Sequence, residues 1–204
     1  MLQKTFTELL SNYSGNSGLI KEFWNEIREH YSARKRHYHN LRHLEYILAE
    51  LAAVRNEIRD WDSVLFAVYY HDIIYNPMRS DNEEESAGLA ESRLHDLSVP
   101  AVKIRRCKEH ILATKQHLGS SDSDTNYFTD ADLCILGQDR EIYHAYCNNL
   151  RKEYADYPGL IYNQGRKRVL RKFLSMDRIF KTDYFFNKYE STARKNIAKE
   201  LAGL

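Results

Sequence analysis

The sequence predicts an all-α fold, a single helical bundle of about eight to ten helices. Only three prolines and eight glycines punctuate the 204 residues, a usage that favours long helices over many short strands. No run alternates apolar and polar residues as a half-buried strand would. Apolar residues instead recur at three- and four-residue intervals through most of the chain. With no internal repeat and no low-complexity linker, residues 1–204 read as one domain, long enough to enclose a substantial core.

Residues 2–11 make a short helix, and SNYSGNSG is a polar loop. Leu19, Phe23 and Ile27, beside Ile20 and Trp24, mark one face of a second helix. ARKRHYHN then leads into a helix carrying Leu44, Ile47, Leu48 and Leu51, with Asn40 as its N-cap. WDSVLFAVYYHDIIY is apolar nearly all round, the pattern of a central buried helix. NPMRSD is turn-rich, and EEESAGLAESRLHDL is helical. Pro100 opens a helix whose core face holds Ile104, Cys107 and Ile111. GSSDSDTN reads as loop and TDADLCILG as a shorter helix closed by Gly137. Residues 139–156 form a helix with Tyr143, Tyr146 and Leu150 inward, Pro158-Gly159 breaks it, and helices at about 166–180 and 184–202 finish the chain.

The formal net charge of +1 argues against nucleic acid or a membrane surface as partner. No apolar run approaches the roughly 20 residues that span a bilayer. The first residues lack the apolar stretch and cleavage site of a signal peptide, so a cytoplasmic location is expected. Cys107, Cys134 and Cys147 form no C-x-x-C pair and read as reduced, buried thiols. Nine histidines are the unusual usage.

Four residues stand out as possible metal ligands: His43, the doublet His71-Asp72, and Asp132. Imidazole nitrogen suits transition metals, and carboxylate oxygen suits Mg and Mn as well. Adjacent helical residues point about 100° apart, so His71 and Asp72 can share one ion only near a helix end, where this pair sits. Alone, the pair reads equally well as a core histidine and a turn-capping aspartate. His39 and His43 are four apart, but no glutamate completes H-E-x-x-H, which argues against a metalloprotease. His43 is the better ligand; His39 is substrate-facing, or simply at the surface. Of Asp130 and Asp132, which face nearly opposite ways, Asp130 caps amides near a helix start and Asp132 takes the ion. His110 and His117 share a face two turns apart and could line the same cavity or hold a second ion; two half-exposed histidines is the plainer reading.

These residues are similar to the HD-domain superfamily of metal-dependent phosphohydrolases. YHNLRHL, YYHDIIYNP, DNEEESA, ILATKQH, DADLCILG, LRKEYADYP and GRKRVLRKFL, in that order over residues 37–174, resemble the predicted bacterial HD phosphohydrolase subfamily. The resemblance implies a helical HD fold with His43, His71, Asp72 and Asp132 as ligands of a divalent ion. Mn, Mg, Fe, Co, Ni and Zn are candidates, with one ion preferred and two possible. It also implies hydrolysis of a phosphate ester, such as that of a nucleotide or another small phosphorylated metabolite.

The chemistry expected is attack of an activated water on phosphorus, with Asp72 orienting the water and Glu83 or Glu84 protonating the leaving group. A solvated helix start explains both glutamates equally well. Phosphate needs positive charge, for which Arg42, Lys115 and Arg166 are candidates alongside His39 and His117. Tyr69, Tyr70 and Tyr75 flank the centre and read mainly as core aromatics with a polar tip. Arg151 and Glu153 suggest a structural ion pair. GRKRVLRK is an amphipathic helix with a basic outer face. The alternatives are a non-catalytic metal and nucleotide sensor with the same fold, a purely structural metal site, and a nucleic-acid-binding helical protein.

Overall fold

Ten α-helices and no strand form over residues 1–204, all of which the computed structural model describes. The chain falls into two compact units, Met1–Thr129 and Asp130–Leu204. No helix is long and apolar enough to cross a membrane.

In the first unit, α1 (Leu2–Ser11) packs on α2 (Ser17–Tyr31) through Phe6 and Trp24. α3 (Leu41–Ala53) starts where the sequence places it: the Asn40 side chain accepts a 2.9 Å hydrogen bond from the Arg42 amide. A 3-10 turn (Arg55–Glu57) leads to α4 (Trp61–Tyr70), whose residues from Ser63 to Tyr70 are all buried. That burial follows from the apolar character of α4 on every side, which leaves no face for water. α4 touches α1, α3, α5 (Asn82–Asp96) and α6 (Ala101–Ala113), so it is the axis of this unit. Ile104, Cys107 and Ile111 face inward on α6, as their spacing predicts. Tyr69 and Tyr70 are wholly buried core aromatics; the Tyr69 hydroxyl donates to the Leu2 carbonyl at 3.0 Å.

α7 (Ser123–Asp132) corrects the expected loop over GSSDSDTN and the expected helix over TDADLCILG. The acidic stretch is helical from Ser123. Asp124 is wholly buried and accepts bonds from the Arg59 amide (2.9 Å), the Asp60 amide (2.8 Å) and the Arg106 guanidinium (2.9 Å). These partners lie far off in sequence, so local composition alone reads the segment as solvated. Asp132 is the last residue of α7, and Leu133–Gly137 continue as a 3-10 turn.

In the second unit that 3-10 turn packs against α8 (Arg140–Glu153) and α10 (Asp183–Gly203), and α9 (Gly159–Ser175) lies on α10. α9 begins directly after Pro158, earlier than expected, because proline's fixed φ suits a helix start while Gly159 and Gly165 mask the local helical preference. Arg151 donates to the carbonyls of Tyr154 and Tyr157, closing the C-terminal end of α8. Asp130 is not at a helix start. It lies on the last turn of α7 and accepts from the amides of Lys181 (2.9 Å) and Thr182 (2.8 Å) and from the Thr182 hydroxyl (2.8 Å), fixing the entry to α10. Burial raises the Asp130 carboxyl and lowers the Lys181 ammonium, whose nitrogen stands 3.6 Å away.

Gly137 ends the 3-10 turn for a reason other than a left-handed cap, since no glycine here has positive φ. A Cβ built on it falls 2.5 Å from the Cβ of Tyr189, so the position is reserved for close approach. Gly137→Ala is expected to cost about 1–3 kcal/mol through overpacking, read as a lower urea midpoint with unchanged slope.

Candidate metal centre

His43 lies on the buried face of α3, one turn after the Asn40 cap. His71 is the C-cap of α4, and Asp72 follows it in a turn. Asp132 closes α7, the helix that also carries Phe128, whose ring stands edge-on to His71 at 5.7 Å.

One ligand atom each from His43, His71 and Asp132 lies within 4.8 Å of the other two, and the two histidines are buried. The two Nε2 atoms are 3.2 Å apart. Asp72 joins them: its Oδ2 is 3.1 Å from His71 Nε2, 3.7 Å from His43 Nε2 and 4.0 Å from His39 Nε2. An Nε2 separation of 3.2 Å matches two donors subtending roughly 100° at an ion with bonds of about 2.1 Å. The donor set therefore fits a divalent cation, and the identity of the ion is left open by it.

The tautomer of His71 is fixed by its surroundings. Its Nδ1 is 3.1 Å from the Val68 carbonyl, which can only accept, so Nδ1 carries the proton and Nε2 turns its lone pair toward the cluster. The imidazole of His39 packs against Tyr75 (4.3 Å between centroids) and Tyr38 (4.8 Å), at the edge of the same cluster.

The remaining candidates are distributed differently. Arg42 is exposed and lies over the Tyr46 ring. Lys115 donates to the Ser80 carbonyl and to Glu84, and that bond holds the Glu84 carboxyl below its ordinary range. Glu83 is half-buried in the first turn of α5. His117 follows α6 with φ of 53°, a left-handed backbone that non-glycine residues rarely adopt. Arg166, expected to meet substrate, is 7% exposed; it donates to Glu200 through Nε and Nη2 at 2.7 and 2.9 Å and to the Tyr146 hydroxyl at 3.2 Å. Its fork is committed within the second unit and corrects that expectation.

Sequence reasoning reads His110 as half-exposed; it is wholly buried. Its Nδ1 is 2.8 Å from the Thr125 hydroxyl, which in turn donates to Asp122 at 3.0 Å. Because that hydroxyl gives its proton to the carboxylate, His110 Nδ1 must be the donor. Nε2 is then an unprotonated atom with no hydrogen-bond partner. Sequence reasoning also missed Arg36, which donates to the carbonyls of Asp72 (2.5 Å), Ile73 (2.7 Å) and His39 (3.3 Å).

No family model, curated protein or solved structure matches this chain.

Burial, assisted by the nearby Arg106 charge and opposed by Asp122, lowers the His110 pKa to about 4. Between that value and the ordinary one near 6.5, the unfolded chain binds more protons than the folded protein, so stability rises as pH rises through this window. The wild type is expected to gain up to about 3 kcal/mol from this group between pH 4 and 6.5, and His110→Gln to flatten that part of the profile in urea titrations.

Proposed function

We propose that this protein hydrolyses a phosphate ester, that of a nucleotide or another small phosphorylated metabolite, using a water activated at a divalent metal centre. The observation that carries this reading is the convergence of two buried imidazole nitrogens with the carboxylates of Asp72 and Asp132. The order of motifs described above, which resembles HD-type phosphohydrolases, supports the same reaction class. His43, His71, Asp72 and Asp132 would hold the ion. When bound, the ion supplies a lowered water pKa and a Lewis acid for a phosphoryl oxygen. Mixed imidazole and carboxylate ligation without cysteine suits an open catalytic site better than a closed structural one.

The chain's own groups account for the rest. His71 is held as the Nδ1–H tautomer, so its Nε2 lone pair points at the centre. Asp72 stands among the histidines with a second carboxylate oxygen to orient water. Lys115 holds the Glu84 carboxyl below its ordinary range, which counts against Glu84 as proton donor to the leaving group; Glu83 is the other candidate for that step. His39, stacked near Tyr75, and His117 and Arg42 are the groups assigned to the substrate anion.

The test is calorimetric metal binding together with phosphate release from a nucleotide panel with Mn, Mg, Fe, Co and Ni. Asp72→Ala and Asp132→Ala are each expected to lower phosphate release by more than about a hundredfold while the far-ultraviolet circular dichroism stays helical. A wild type that binds nucleotide and never releases phosphate points instead to a sensor. A wild type that takes up no divalent ion overturns the reading.

A further inference from the structure

We propose that Arg36 is a positioning residue for the metal centre: its guanidinium pins the His71-Asp72 turn and the His39 loop into the one arrangement in which their side chains converge. The inference rests on the reading of this centre as a metal site.

The need for such a clamp follows from helix geometry. Had α4 continued, His71 and Asp72 would point about 100° apart. The chain instead leaves the helix at Tyr70, and the Ile73 amide donates to the Tyr70 carbonyl at 3.2 Å. Leaving the helix strands the carbonyls of the turn, which no longer meet amides four residues on. Arg36 meets them. Its Nη1 donates to the Asp72 carbonyl (2.5 Å) and the His39 carbonyl (3.3 Å), and its Nη2 donates to the Ile73 carbonyl (2.7 Å). One planar group thus ties the segment holding His39 to the segment holding His71 and Asp72. The positive charge also sits just past the C-terminal end of α4, where the helix dipole favours a cation.

The guanidinium is itself held. It lies 4.9 Å from the ring centroid of Tyr31 and 5.5 Å from that of Tyr75. Cation–π contact with two rings fixes its plane and limits the directions in which it can donate. Tyr31 contributes twice, because its hydroxyl accepts from the Asp72 amide at 3.2 Å. Tyr75 also packs on His39, so both rings that hold the guanidinium touch the elements it joins. Lysine carries the same charge but lacks the planar fork that serves three carbonyls together.

The experiment compares wild type with Arg36→Lys by calorimetric titration with Mn2+ and by amide hydrogen exchange in the metal-free protein. In Arg36→Lys, Mn2+ affinity is expected to fall at least about tenfold, in line with the loss of groups that orient ligands, while the thermal midpoint moves by only a few degrees. The amides of Asp72 and Ile73 are expected to exchange at least about tenfold faster. Unchanged Mn2+ affinity with unchanged protection overturns the assignment. If the wild type itself binds no divalent ion, the metal reading fails and takes the positioning role with it, whereas the exchange data still show whether the clamp holds the turn. Should Arg36→Lys not fold, Tyr75→Leu removes one of the two rings and keeps every carbonyl bond. It is then read by the same two measurements, with loss of Mn2+ affinity expected and its retention counting against the proposal.

Discussion

A helix cannot aim two successive side chains at one point, and this constraint governs the candidate centre. α4 delivers His71 to the interior along a wholly buried segment and then stops, so that Asp72 can swing toward the same histidine nitrogens. Everything around the stop compensates for it. The Val68 carbonyl engages His71 Nδ1, the Tyr31 hydroxyl meets the Asp72 amide, and Arg36 receives the carbonyls that the helix would have satisfied. Polar groups that a broken helix leaves inside a protein must each find a partner. Here the partners also hold the backbone from which the His71 and Asp72 side chains project.

The order and type of the helices were legible because apolar spacing is a local signal. The Asn40 cap, the buried axis of α4 and the inward face of α6 all follow from residues within one element. The start of α7 was not legible. Asp122, Ser123 and Asp124 look like a solvated turn, and only the distant amides of Arg59 and Asp60 reveal that the carboxylate of Asp124 is buried. Asp130 was misplaced for a related reason: its function as an amide acceptor was visible in its chemistry, but the amides belong to Lys181 and Thr182, some fifty residues on.

The centre divides along the same line. Residue type drew attention to His43, His71, Asp72 and Asp132, and of these the two histidines are buried with Asp72 3.1 Å from His71 Nε2, a grouping that buried imidazole needs for compensation. Arg166 carried the same apparent signal as a phosphate-binding arginine, yet its fork is spent on Glu200, thirty-four positions away. Arg36 sat unremarked in a basic stretch because its partners are backbone carbonyls, which leave no trace in the pattern of side chains. His110 lay between these cases. Its spacing suggested a half-exposed ring, whereas it is wholly buried, and the protonation of the ring follows only from the Thr125–Asp122 pair beside it.

The contact between Gly137 and Tyr189 has a reach beyond this one chain. Two positions that share a space too small for both to be large form a size pair. Any chain that docks its last helix the same way and gains a side chain at the first position must shrink or tilt the residue at the second. Substitutions at the two sites should therefore be inherited together, and a swap that looks harmless at either one alone would be tolerated only in the company of its complement.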